Sequence, residues 1–402
     1  MRRTVEENNK RRKDKIKETT KKTKLQAISQ SVKNINLDKK KILILVACLV
    51  VVVVIIIANN YTSLGIIFNK NITSEDAIQI ELQTTIEKII PYGNKILIYS
   101  KGKIDIYDNY GKNIETIELQ DTADADISTA GKYIQVINKD KNIVYVYKSE
   151  YEIARIKVDG KIYSGNINEN GMSVIEYSSN GNKMALGIYD KAGNMEYNIR
   201  PSNNIIGKYV LANNSKYLAY TDVDISGISA YTNVNLIDLS HVKEDESNSN
   251  VIYTLDNSLA YDIYFDGRNV ITRYEEGYLM YNTSSKKVNE IKTSDGQVVN
   301  VGDYSNRFAY TKLNSAGNYL LTIGKIGREK VKTVELNDAP KYFEYENGIV
   351  YVCYSKNIEA YNNSGVNIKN YTSDMVITKP VIFNNGRSVA MAVSNKLIMF
   401  TI

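Results

Sequence analysis

In "TDVDISGISAY" (221–231), Asp222, Asp224 and Ser226 alternate along the chain and Gly227 follows them directly. Oxygen-bearing side chains at alternate positions with a glycine at the turn copy the opening half of a calcium-binding loop. The closing glutamate is missing, because Asn233 stands at the twelfth position. The same residues also read as an ordinary acidic hairpin loop. Asp121, Asp124 and Asp126 form a second acidic cluster. With Tyr231, these three acids are the expected partner-binding residues, suited to a cation or a basic partner. Calcium at Asp222, Asp224 and Ser226 is the one cofactor considered.

Catalytic chemistry finds few components. His241 is the only histidine and lies in the polar stretch "SHVKEDESNSN". A single histidine excludes a His-cluster metal site or a Cys/His pair within one chain. A Ser/His/Asp triad would have to recruit His241, and no nucleophile-elbow motif accompanies it. No glycine-rich phosphate loop is present. Acids are plentiful enough for the paired carboxylates of glycoside cleavage, but no spacing singles out a pair.

The elements that must position these residues repeat along the chain. "KIDIYDNYGKNI" (103–114) and "NIEAYNNSGVNI" (357–368) share six identities without gaps, and "IYDKAGNM" (188–195) is a partial third copy. Each reads as a β-hairpin. Asp108 or Asn362 opens the turn by bonding its own backbone, and Gly111 or Gly365 closes it where φ can turn positive. Eight strongly apolar strands recur from residue 95 onward, each followed by a third strand centred on Tyr107, Tyr147, Tyr189, Ile237, Tyr281, Lys325, Tyr361 or Phe400. A spacing of about 40–45 residues with four strands per unit is the pattern of propeller blades. Continuous apolar runs such as "VYVCY" suit inner strands covered on both sides, while "ETIEL", "ARIKV" and "KTVEL" alternate as rim strands should. The 32 tyrosines read as core, with rings between blades and hydroxyls on backbone partners.

The expected fold is therefore an all-β, eight-bladed β-propeller over 77–402. Seven blades stay open because the sixth repeat has Lys325 where the others have an apolar or aromatic residue. The last repeat lacks a fourth strand, and "AIQIEL" (77–82) matches that pattern, so it is expected to close the ring.

Ahead of the propeller, residues 1–41 hold 15 Lys/Arg against 5 Asp/Glu, whereas the rest of the chain is mildly acidic. Residues 42–58 carry no charge, about 25 Å as a helix at ~1.5 Å per residue. This is the expected transmembrane helix, one uncleaved anchor with the basic tail 1–41 in the cytoplasm and the propeller outside. Leu25, Ile28, Val32 and Ile35 give that tail a narrow apolar stripe, so it reads either as a helix on the anionic inner leaflet or as a solvated tail; no nucleic acid is expected. Residues 59–76 are the linker. Cys48 falls in the span and Cys353 in a strand, so the two cannot pair within one chain.

The basic tail, single anchor and Tyr/Ile-rich blades resemble a clostridial family of membrane-anchored propellers with no assigned function. In outline the blades are also similar to WD-repeat and quinoprotein-type propellers, although the absence of tryptophan removes both of their signatures. The resemblance implies an architecture and transfers no active site. The reading is a non-catalytic binding or scaffold module at the cell membrane, recruiting an envelope protein, peptide or polymer through the face turned away from the membrane. An envelope glycan hydrolase or lyase and a transmembrane ligand sensor are the alternatives.

Overall fold

The computed structural model describes residues 71–401, apart from 120, 121, 123, 124, 180, 181, 201–203, 226, 228–230, 241–249, 293–296, 327, 329, 379 and 394. The basic tail, the expected span at 42–58, most of the linker, Asp121, Asp124, Ser226 and His241 lie outside the described residues. Among the described residues no helix is long and apolar enough to cross a membrane.

Eight antiparallel sheets follow one another along the chain. The first seven blades cover 88–118, 125–157, 162–199, 205–256, 260–292, 297–335 and 342–372. The eighth joins 381–401 to the N-terminal strand Ile78–Glu81, which pairs antiparallel with Lys396–Thr401 from Ile78↔Met399 to Glu81↔Lys396. Ring closure thus matches expectation, and the repeat around Lys325 is a true sixth blade.

Why the inner strands are apolar without interruption is clear from where successive residues go. Leu97 and Tyr99 pack against blade two, while Ile96 and Ile98 of the same strand pack against blade eight. Tyr351 and Cys353 likewise face blade eight, and Val350 and Val352 face blade six. With side chains alternating across a strand, every residue is buried, but in one of two different interfaces. The core is therefore a ring of layers between blades, each fully buried aliphatic or aromatic side chain contributing roughly 1.5–3 kcal/mol.

Tyrosines tie these layers to the backbone. Tyr92, Tyr197, Tyr278 and Tyr351 each donate to a carbonyl of the following blade, at Lys132 (3.0 Å), Leu239 (2.6 Å), Gly302 (3.3 Å) and Gly386 (2.5 Å), and Tyr99 donates to Thr122 (3.1 Å) in the connection to blade two. A ring buried between blades keeps its hydroxyl satisfied this way. Blade six has Lys325 where most other third strands centre on a tyrosine, and fills the space differently. Phe308 stacks on Tyr278 of blade five at 5.5 Å and lies over Gly324, where an added Cβ would sit 2.2 Å from the Phe308 ring.

The repeated 12-mers form the hairpins they suggest. Asp108 Oδ1 accepts from the backbone N–H of Tyr110 and Lys112 (2.9 Å each), and Asn362 Oδ1 accepts from Ser364 (2.9 Å) and Val366 (3.1 Å). Gly111 and Gly365 have φ of 82° and 75°. All three copies carry a register shift at the same place, next to Tyr107, Tyr189 and Tyr361. The repeated motif thus encodes a turn together with a β-bulge.

One element differs from the sequence reading. Asn71–Thr73, assigned to the linker, is a fifth strand outside blade seven, parallel to Asn367–Thr372 with Asn71↔Asn370 and Thr73↔Thr372. Ile72 is buried against that blade. The Asp374 N–H donates to Ser74 Oγ at 3.2 Å. Three residues are too few to show a period in the sequence.

Candidate functional site

Each blade has two ends. We call top the end bearing the connections from second to third strand and from each blade to the next. Residues at the start of an innermost strand, or at the end of a second strand, lie there.

Asp222 and Asp224 belong to the strand Tyr217–Asp224, in unbroken register with Tyr231–Asp238. This places both acids on an extended strand, while Ser226, the third residue of the calcium expectation, lies outside the described residues. The Asp222 carboxyl is moreover buried and already occupied: Asn204, Asn233 (3.0 Å) and Asn235 (2.5 Å) all donate their side-chain amides to it. Among the described residues no three His, Cys, Asp or Glu side chains converge on a point that could hold a metal. Asp222 has the spacing of a ligand, but its donors come from the loop at Asn204 and from the strand Tyr231–Asp238, which no local motif reveals.

Asp126 stands at the top, second in the strand Ala125–Ala130, and is partly exposed. Lys88 of blade one approaches Asp126 Oδ1 at 3.3 Å, and Lys139 donates to Oδ2. Burial alone would push the Asp126 carboxyl up; the hydrogen bonds and charges of Lys139 and Lys88 outweigh it and hold the group below its usual range. Beside this pair, Ser164 Oγ donates to Glu176 at 2.6 Å and is joined to the Tyr209 hydroxyl, linking blades three and four. Burial pushes the Glu176 carboxyl up, opposed by the Ser164 bond and by Lys208 and Lys139. Lys88, Asp126 and Ser164 line a cavity of about 640 Å³ at the top of the central channel, walled by residues of blades eight, one, two and three.

Tyr231 is 40% exposed and is the first residue of its strand, paired with Asp224 on one side and Asp256 on the other. It has company the sequence reading missed. Tyr163, Ile205, Ile225, Leu259 and Tyr261 are also exposed, all at the tops of blades three to five. Asp256, Glu275 and Glu276 are exposed on the same end of blades four and five. Partial burial and the neighbouring Glu275 push the Tyr261 phenol up. At the bottom the pattern differs. Tyr110, Tyr151 with Ile153, Met195, Val251, Val288, Val331 and Val366 are exposed at or near the third-to-fourth-strand turns of seven different blades. Scattered residues of that kind are ordinary surface, whereas grouped ones mark contact sites. The signal available in sequence was apolar residues placed at strand starts and loop tips.

The model of a family described as "Family of unknown function (DUF5711)" matches residues 69–400. No curated protein matches the chain. Among solved structures, BamB from Moraxella catarrhalis aligns with a TM-score of 0.51 at 9% identity, over 81% of this chain and 98% of its own. Saccharomyces cerevisiae Sqt1 aligns with a TM-score of 0.52 at 9% identity, over 83% of this chain and 99% of its own. At such identity the likeness is one of fold.

Proposed function

We propose, from the premise that this chain belongs to the DUF5711 family, that it is a membrane-tethered propeller whose top face binds a partner protein without catalysis. The observation that carries the reading is the grouping of Tyr163, Ile205, Ile225, Tyr231, Leu259 and Tyr261 on the tops of three adjacent blades. Aromatic and aliphatic anchors ringed by acids favour a partner segment that offers apolar side chains flanked by lysine or arginine. The uncharged run 42–58 and the basic excess before it support an anchor with the propeller outside the membrane, in the cell envelope. With Asn71 already fixed to blade seven, residues 59–70 would tether it over at most roughly 40 Å. The chain runs toward the top as it joins that blade, which supports a bottom face turned to the membrane.

Photo-crosslinking in cells tests this, with the reactive side chain placed at Tyr231 and, separately, at the bottom residue Tyr110. A discrete protein adduct specific to Tyr231 is expected. Equal labelling from both positions would sink the assignment of the top face.

One observation favours a second reading, a glycan hydrolase. Asp126 is pushed down and Glu176 up around the same Lys139, the divergence expected of a base and an acid. Against it, two lysines engage Asp126, and Glu176 lies buried behind Ser164. Turnover of a defined envelope glycan that is lost in Glu176→Gln, with folding intact, would replace the binding reading.

A further inference from the structure

The turns at the bottom of the blades differ in charge from those at the top. Lys132, Lys216, Arg268 and Arg387 are exposed in the first-to-second-strand turns of blades two, four, five and eight. Lys112, Lys148, Lys191, Lys286, Lys287 and Arg328 are exposed at the third-to-fourth-strand turns of blades one, two, three, five and six. Among the described residues the exposed acids at this end are Glu152, Glu169 and Glu196, and Arg155 takes Glu152 at 3.1 Å. The turn acids Asp108 and Asp190 already hold backbone amides. None of the bottom cations named reaches a carboxylate of the described residues within ion-pair distance. The top is mixed instead: Lys139, Asp140 and Lys141 share one turn, and Glu276 holds Lys292 at 2.8 Å. Apolar side chains stand among the bottom cations. Tyr110 shares its turn with Lys112, Tyr151 with Lys148, Met195 with Lys191, and Val288 with Lys286 and Lys287.

We infer that the bottom face lies on the membrane surface and binds anionic lipid headgroups through these cations. Charges of one sign, unpaired within the protein and spread over six or more blades, complement a surface of the opposite sign. They act only within a screening length, about 8 Å at physiological salt, so turns that reach toward the bilayer are where they count. Two observations favour lipid over a soluble polyanion. An exposed apolar residue taken singly is ordinary surface, but one beside a cation in turn after turn suits the level where headgroups meet acyl chains. A soluble polyanion would leave those side chains without a role. The chain also enters blade seven from the bottom side, and residues 59–70 reach at most roughly 40 Å from the proposed anchor, which keeps this face near a bilayer. The inference rests on the proposed tether and uses none of the exposed group at the top.

The chain contains no tryptophan, so Tyr110→Trp installs a single indole at the bottom and Tyr231→Trp one at the top. Each full-length variant is placed in nanodiscs holding a lipid brominated near its headgroup, which quenches an indole on contact. The remaining lipid is phosphatidylcholine alone or mixed with phosphatidylglycerol. In the anionic discs Tyr110→Trp is expected to lose at least about half of its indole emission and to recover it at 1 M salt, where the screening length is about 3 Å. It should lose little in neutral discs, and Tyr231→Trp should stay bright in both. Changing Lys112, Lys132 and Lys148 together to Glu should abolish the quenching, whereas changing them to Arg should keep it. Equal quenching in neutral and anionic discs would mean that the tether alone holds the face there, and no quenching in either would remove the contact; both overturn the inference. Capture of inorganic polyphosphate by the chain in neutral discs, without quenching in anionic ones, would overturn it in favour of a soluble polyanion. A Tyr231 adduct that fails to form while the Tyr110→Trp quenching holds would sink the binding role of the top and leave this inference standing. The reverse result would sink this inference alone.

Discussion

Asp126 and Asp222 look alike in the sequence, each in a short run of alternating acids, and both lie near the tops of their blades. Their surroundings are opposite. Asp126 is 43% exposed in its side chain and held by two lysines at the channel mouth. Asp222 is 5% exposed and holds three asparagine amides from the edge of blade four. The first is a surface charge pair in an accessible place. The second is a structural bracket that binds a loop and two strands together. Which of the two an acid becomes depends on residues up to 38 positions away, and the spacing of the acids says nothing about it.

The comparison breaks or holds most clearly in Asp222→Ala. Removing the carboxyl strands three amide donors, of which Asn235 is fully buried, and a stranded buried donor costs about 1–3 kcal/mol. A loss of about 3 kcal/mol in urea unfolding is expected, since Asn204 and Asn233 are only half-buried and recover water. If Asp222→Ala costs no more than Asp126→Ala, the bracket is not a bracket. Adding calcium to the wild type should leave its stability unchanged, which separates this role from an ion site.

Much of the fold was legible because propeller strands advertise themselves twice. The repeated turn of Asp108–Gly111 and Asn362–Gly365 marks the rim hairpin, and the unbroken apolar runs mark the strands buried on both sides. Ring closure by Ile78–Glu81 was legible for the same reason, an unpaired alternating strand facing a blade that lacked one. What stayed hidden depends on contacts between segments far apart in the chain. The parallel strand Asn71–Thr73 is three residues long, and the amides on Asp222 come from a loop and a neighbouring strand. Of the exposed group on blades three to five, only Tyr231 was singled out. The others look like core until the ladder shows that Ile225 and Leu259 lie beyond their strand ends.

A third carboxyl sharpens the contrast by having the reverse sign. Glu346 ends the innermost strand of blade seven at the bottom; burial, with Glu344 nearby, pushes it up to about 7. A carboxyl that holds its proton more tightly when folded costs stability once it must ionise. The cost is therefore absent below its ordinary value of 4.5, develops as pH rises, and is full above about 7. Glu346→Gln should stabilise the protein at pH 8.5 by about 1 kcal/mol, after allowance for partial exposure, and leave it unchanged at pH 4. Thermal unfolding at the two pH values measures this. A gain of equal size at both would mean that shape, and not charge, is responsible.

The smallest effect belongs to Asp126, and its smallness is the point. Its carboxyl is held below the usual value, so the stability it contributes is present above the ordinary 3.8 and disappears as pH falls through the lower folded value. That window lies at strongly acid pH, well below the one in which Glu346 acts. Because both the acid and its lysines are more than a third exposed, the pair is worth only about 0.2–1 kcal/mol. A double-mutant cycle of Asp126→Asn with Lys139→Met should return a coupling in that range at low salt and close to zero at 1 M, where the screening length is about 3 Å. A coupling that survives high salt would place Asp126 in a drier setting than its exposure implies, and the difference from Asp222 would then be one of degree. A coupling that vanishes leaves the lysines able to exchange partners, as surface charges at a channel mouth do.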